Sequence, residues 1–273
     1  MYDHQADNPA ATNTNNTVEA YSSALNSLFK FLQKNGKIKG NPFANVERRH
    51  KKAENPAYLK GSENETFYQG VLDGVGMTKQ QLAFREKHHT AYRDYLICRV
   101  LGSTGIRVSE LVGLDIKDID LVHAQFKVIR KGGKIQTIYM SDKLCAEMKK
   151  YIKEIRPEYD LKDVNVPEAD KDALFVVAQG KYYGRRLTVR SIEDLIHKYA
   201  LAQGLTDAAR FHPHSLRHSM GMMALEKSQN LRLVQQILGH ENITTTTLYS
   251  RMTEANLRDA RNIGEVEREG ENV

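Results

Sequence analysis

The chain has 273 residues and a mass of 31.1 kDa, which allows one large domain or two modest ones and excludes a miniprotein held together by staples. Lys and Arg total 40 against 34 Asp and Glu, a formal charge of +6, and this modest basic excess suits a polyanionic partner. No stretch approaches the ~18 consecutive apolar residues of a spanning helix, and the start "MYDHQADNPAATNTNNT" has no apolar signal core. The expectation is therefore a soluble, unexported, cytoplasmic protein with no membrane partner.

In chain order, Val18, Tyr21, Leu25, Leu28, Phe29 and Leu32 recur at three-to-four-residue spacing and predict an amphipathic helix ending near Asn35-Gly36. That helix needs a partner surface. The next segment is rich in Lys and Arg, with "VERRHKKAENPAY" as its densest run and no apolar periodicity inside it. A run of this kind reads either as a solvated face or as a linker whose Arg48, Arg49, Lys51 and Lys52 lie against phosphates by counterion release. Pro42 and Pro56 punctuate it, so a domain boundary falls near residues 50 to 60.

Helical patterns follow at Asn64 to Leu72 and at Thr90 to Gly102, the latter apolar on most sides and hence a core helix. The intervening "DGVGMTKQQLAFREKHHT" reads as a surface elaboration. Phe126 and Val128, then Ile135, Ile138 and Met140, flank Gly132-Gly133 and mark a tight β-hairpin whose turn carries Lys131 and Lys134. Leu144, Met148, Ile152 and Ile155 predict a helix closed by Pro157, and "ALFVVAQ" at 173 to 179 predicts a third strand. Ile192, Leu195, Ile196 and Tyr199 predict a helix up to Gly204. "SLRHSMGMMALEKSQN" and "LRLVQQILGH" predict two more, the second capped by Gly239. The sum is a mostly helical α+β fold with one small sheet. Cys98 and Cys145 both fall within apolar helical patterns, which predicts reduced, buried thiols rather than a disulfide framework.

A basic polar set stands out in the second half: Arg107 in "TGIRVSEL", Lys131 in "RKGGK", His214 and Arg217 in "HPHSLRHSM", His240 in "LGH" and Tyr249 in "TTTTLYSR". Singly, each has a plain reading as a surface charge, a solvated hairpin tip or a His bonding the last carbonyls of a helix. Zincin, Cys-x-x-Cys and phosphate-loop spacings are all lacking, so no metal ligand set and no ATP-hydrolysing loop is expected. Together the six residues supply donors, positive charge and one potential nucleophile, the inventory for attack on a phosphodiester without a cofactor. Two guanidiniums can hold both non-bridging oxygens of a phosphate and offset the charge that develops in a pentacoordinate transition state. Presenting a phenolate at neutral pH costs about 4 kcal/mol for a free tyrosine, which cationic and basic neighbours reduce.

The blocks "TGIRVSELVGLDIKDID", "IRKGGKIQTIYM" and "HPHSLRHSMGMMALEKSQNLRLVQQILGHENITTTTLYSR", in that order and spacing, resemble the catalytic domain of the tyrosine recombinases, the phage-integrase family with its Xer-type and transposon integrases. The resemblance runs from about Tyr58 to Arg251. It implies that Arg107 and Arg217 are the clamp arginines, His214 opens the His-x-x-Arg box, His240 bonds a non-bridging oxygen, Lys131 is the hairpin general acid and Tyr249 is the nucleophile, with Lys134 the lesser lysine. Glu110 resembles the acidic residue that positions the active-site groups; plain helix capping is its alternative. The implied reaction is site-specific cleavage and rejoining of double-stranded DNA through a 3′-phosphotyrosyl intermediate, with neither metal nor other cofactor. The implied assembly is four protomers on two duplexes, from monomers free in solution and with directionality or accessory factors as further partners.

The resemblance divides the chain into a partial helical core-binding domain and basic linker over 1–55, a catalytic domain over 56–264 and a tail over 265–273. Relatives commonly carry roughly twice as much chain before the catalytic domain, so the start reads as a trimmed chain or a natural minimal protein. A type IB topoisomerase and a DNA-binding accessory protein without catalysis are the rival readings. The basic, mildly elaborated character leans towards integration or excision of a mobile element.

Overall fold

The computed structural model describes residues 15–44, 57–159, 161 and 164–239. The chain divides into two compact units, Met1–Asn55 and Pro56–Val273. In the first, α1 (Asn15–Lys34) is the predicted amphipathic helix, and Phe29 stacks on Phe43 with ring centroids 5.8 Å apart. Tyr21, Leu25, Leu28 and Phe31 on the same helix are exposed.

The second unit is built around α4 (Thr90–Thr104), the helix read as apolar on most sides. Leu96, Ile97, Cys98, Val100 and Leu101 are wholly buried, packed mainly by α2 (Glu63–Asp73) and α8 (Pro213–Ser228). Its charged residues, Arg93, Asp94 and Arg99, are buried too, and each finds a partner. Arg93 pairs with Asp94 at 2.7 Å and donates to the Val176 carbonyl at 2.8 Å. Asp94 also accepts from the Tyr199 hydroxyl at 2.9 Å. Arg99 pairs with Glu65 and Glu147, and Glu147 accepts from Tyr95 at 2.6 Å. Burying charges singly would cost several kcal/mol each, so α4 can be central only because these partners lie within reach. Burial pushes the Cys98 thiol up, in keeping with the inert reduced thiol expected, while Cys145 is half-buried and also free.

Between α2 and α4 the surface elaboration is a helix, α3 (Lys79–Lys87), started by a capping box of Thr78 and Gln81. It docks rather than projecting: Arg85 is buried, donates to the Leu72 carbonyl at 3.0 Å and so satisfies the end of α2, and lies 5.4 Å from the Tyr199 ring. After the short α5 (Val108–Val112), three antiparallel strands follow in the order β1 (Ile119–Asp120), β2 (Gln125–Ile129), β3 (Ile135–Tyr139). Phe126 faces Ile138 and Ile129 faces Ile135 across the predicted hairpin. Gly132 and Gly133 supply its turn at φ 78° and 76°, values that side-chain-bearing residues resist.

The expected strand at 173 to 179 does not form. The run is buried, yet it makes only isolated bridges, Ala173 with Asp115 and Val176 with Arg186. Each bridge is a single pair: the Leu174 N–H donates to the Leu114 carbonyl at 3.0 Å and the Leu187 N–H to the Phe175 carbonyl at 3.1 Å, while Arg186 ties the adjoining chain down by donating to the Val112 and Leu114 carbonyls at 2.9 and 3.0 Å. The sheet's third strand is β1 instead. The helix of Leu144 to Ile155 is α6 (Asp142–Lys150), widened into a π-turn over Tyr151–Ile155 and ended by a 3-10 turn containing Pro157. Then come α7 (Val189–Ala202), α8 and α9 (Leu231–Leu238). No described helix is long and apolar enough to cross a membrane.

On the inner face of α8, His218 is 2 % exposed and meets the Tyr58 ring edge-on at 5.2 Å. Burial, with the charge of His214 behind it, pushes its pKa down to about 4. Between that value and the ~6.5 of an unfolded histidine, the unfolded chain binds the extra proton. The stability contributed is thus whole above about pH 6.5 and falls as pH drops, by about 3 kcal/mol once pH 4 is reached. Urea unfolding between pH 7 and 4 should show this slope, and His218→Asn should flatten it.

Candidate active site

The site begins where α4 ends. Gly105 caps α4 in the left-handed conformation, and two residues later Arg107 stands in extended backbone as the residue before α5. Glu110 closes the first turn of that helix by accepting from the Arg107 main-chain N–H at 2.8 Å, and its other oxygen holds Arg107 Nη1, also at 2.8 Å. Glu110 therefore does both things the sequence left open: it caps a helix and it orients an arginine. Its side chain is buried, whereas that of Arg107 is 41 % exposed and can meet a ligand.

Arg217 comes from the inner face of α8 and is 3 % exposed. Its guanidinium donates to the Gly105 carbonyl and, through Nη2 at 2.6 Å, to the Leu238 carbonyl at the end of α9. Arg107 Nη2 reaches the next carbonyl, Gly239, at 3.4 Å. Gly239 can turn the chain there because it takes the left-handed conformation, φ 61°. A helix C-terminus carries partial negative charge on its last carbonyls, so α9 presents to the arginines the type of acceptor that a phosphate presents. His214 lies in the first turn of α8, with its edge in solvent beside a groove of about 520 Å³ that Val108 and His212 also line. Desolvation, then the charges of Arg217, His212 and Arg107, hold its pKa below the ordinary histidine value. At neutral pH the ring is uncharged and able to take a proton.

Of the predicted residues, Arg107, Glu110, His214 and Arg217 are thus brought together. The main chain of Lys131 lies in the hairpin turn, its side chain outside what the structure describes, and Lys134 is exposed just before β3. His240, Tyr249, Arg48, Arg49, Lys51 and Lys52 lie outside the described residues, as does the tail over 265–273.

A further residue joins the site that the motif reading passed over. Arg130 follows the last residue of β2 and is buried, with Nη1 3.3 Å from Glu110 Oε1 and 3.1 Å from the Leu238 carbonyl. The signal was present in the alternation of β2: Phe126 and Val128 face inward, and position 130 shares their parity. Three guanidiniums therefore meet one carboxylate and three carbonyls, those of Gly105, Leu238 and Gly239, a local excess of positive charge shaped to receive an anion.

Residues 77–256 match the model of the phage integrase family. The chain belongs to that family. This recombinase is 33 % identical over 240 residues to the tyrosine recombinase XerC of Natranaerobius thermophilus, an alignment covering 88 % of this chain and 73 % of the relative. Its fold is shared with the XerH site-specific recombinase bound to palindromic difH substrate, at a TM-score of 0.69 and 24 % identity over 92 % of this chain and 68 % of that one. It is shared too with the Tn1549 transposon integrase in complex with a circular intermediate DNA, at a TM-score of 0.63 and 19 % identity over 89 % and 79 %. The chain is thus a tyrosine recombinase, an enzyme of DNA strand breakage and rejoining.

Removing the buried carboxylate should be costly to this recombinase. Glu110→Ala leaves Arg130 without its counter-charge, and a loss of about 3 to 5 kcal/mol in urea unfolding is expected. Glu110→Gln, which keeps an acceptor oxygen, should lose less.

Proposed function

We propose that the chain is a site-specific recombinase of double-stranded DNA that works through a 3′-phosphotyrosyl intermediate on Tyr249. The observation that carries this reading is the convergence of Arg107 and Arg217 on the end of α9, with Glu110 fixing Arg107 and an uncharged His214 beside them. On binding DNA, the donors now held by backbone carbonyls turn to the non-bridging oxygens of the scissile phosphate, with His240 as a further donor. The Tyr249 phenol oxygen bonds to phosphorus and the bond to the 5′ oxygen breaks. His214 assists removal of the phenol proton, and Lys131 gives a proton to the leaving 5′ oxygen. The phosphotyrosyl ester keeps the bond energy, so the 5′-hydroxyl of a partner strand can attack it, release Tyr249 and rejoin the DNA.

In this reading residues 56–264 carry the chemistry, and the first unit with its basic stretch at Arg48, Arg49, Lys51 and Lys52 lies along DNA phosphates. Four protomers act on two duplexes. The Tn1549 transposon integrase among the fold neighbours favours service to a mobile element, integration or excision. Chromosome-dimer resolution is the second role open to a recombinase of this kind. Where the enzyme cuts separates the two.

The test is a covalent adduct on denaturing gels, with nicked duplexes tiled across the DNA flanking the gene and EDTA present. Wild type should give a shifted band on one tile, and Tyr249→Phe should give none. Arg107→Ala should form it about 10²- to 10³-fold more slowly. A band that persists in Tyr249→Phe would overturn the assignment of the nucleophile.

A further inference from the structure

The far end of the β2–β3 hairpin has almost nothing to hold it. Its inward apolar residues, Phe126, Val128 and Ile138, are buried at the near end, while the pair that closes the ladder, Ile129 and Ile135, is 70 % exposed on each strand. Gly132, Gly133 and Lys134 beyond it are exposed as well. Among the described residues from 129 to 135, Arg130 alone has a side chain that enters the protein, 8 % exposed.

Arg130 also closes the turn itself. Its main-chain N–H donates to the Lys134 carbonyl at 2.7 Å, and its carbonyl accepts from Gly133 at 3.0 Å, so the tip that carries Lys131 hangs from this residue. At the other end of the side chain the guanidinium bonds Glu110 and the Leu238 carbonyl. Its face is pressed so closely by Gly239 that a Cβ there would lie 2.8 Å from Arg130 Cζ.

The choice of arginine is informative. Nε and Nη2 of Arg130 are buried with no hydrogen-bond partner among the described residues. Two orphaned donors and a desolvated charge are a standing cost that an apolar side chain of similar size would avoid. What the guanidinium provides in return is reach to Glu110 and Leu238, the groups that also hold Arg107 and Arg217.

We propose that Arg130 is a positioning residue for strand cleavage: it bolts the root of the β2–β3 turn to the Glu110–α9 junction, so that Lys131, the next residue, is delivered to the leaving oxygen from a tethered hairpin. The inference rests on the reading of Lys131 as the general acid. Displacing a catalytic group by about 1 Å costs about 100-fold in rate, which is the loss expected when the bolt is removed.

Two measurements on the full chain test it. The first needs no DNA: amide hydrogen exchange across residues 130–134 should speed up at least tenfold in Arg130→Leu and less in Arg130→Lys, while α4 amides keep their protection and so report an intact fold. Unchanged exchange at the turn would overturn the proposal. The second uses the duplex that gives the adduct, in normal form and with sulfur replacing the 5′ bridging oxygen of the scissile phosphate; a thiolate leaves without a proton and so needs no general acid. Arg130→Leu should cleave the normal duplex about 100-fold more slowly and the sulfur duplex within a few-fold of wild type, in parallel with Lys131→Ala. Rescue of Lys131→Ala without rescue of Arg130→Leu would sink the role of Arg130 alone, whereas failure to rescue Lys131→Ala would sink the general-acid reading beneath it.

Discussion

One buried carboxylate, Glu110, governs the arrangement of the site. Its two oxygens serve three donors: the main chain and guanidinium of Arg107, and the guanidinium of Arg130. A carboxylate removed from water must be compensated, and here the compensation comes from cations that themselves need an anion. The balance is deliberately incomplete. Three arginines gather around a single carboxylate, Glu110, and the carbonyls of Gly105, Leu238 and Gly239, so positive charge outweighs negative among these groups and the site retains a standing affinity for an added anion.

That incompleteness is tolerable because the surrounding scaffold is rigid. The Gly105 cap of α4 stands two residues before Arg107 in sequence and accepts from Arg217 in space, so the end of one buried helix sets both arginines. Tight packing explains why no slack is available: a Cβ on Gly105 would lie 2.7 Å from Leu238 Cδ2, and one on Gly102 would overlap the Tyr68 hydroxyl. Farther back along α4, Arg99 and Asp94 hold the helix in register with α6 and α7. Catalysis by preorganised donors depends on such stiffness, since donors that must reorganise during the reaction lose most of their value.

The hairpin is built on the opposite plan. Its near end is apolar and fixed, and its far end is held by one polar tether to the same junction that orients the clamp. The tether and Arg107 share one acceptor atom, Glu110 Oε1.

Local pattern determined most of the fold. The long buried run of α4, the amphipathic α1, α7 and α9, and the Gly132-Gly133 turn each follow from nearest-neighbour periodicity and backbone preference, which act within a few residues. The site residues Arg107, His214 and Arg217 were legible by motif, and Glu110 by its place three residues after Arg107. Tertiary structure decided the rest. The apolar run at 173–179 reads as a strand, but its neighbours in space, the segments around Asp115 and Arg186, each give it one bridge and no ladder, with Arg186 reaching on to the Val112 and Leu114 carbonyls. The segment of α3 reads as surface, but Arg85 turns it into the cap of α2. Arg130 reads as one more basic residue beside Lys131, and only the packing of Gly239 against it and the reach to Glu110 tie it to the site. The physical reason is the same in each case: a charged side chain several ångströms long chooses its partners across the fold, and no local pattern records where those partners will be.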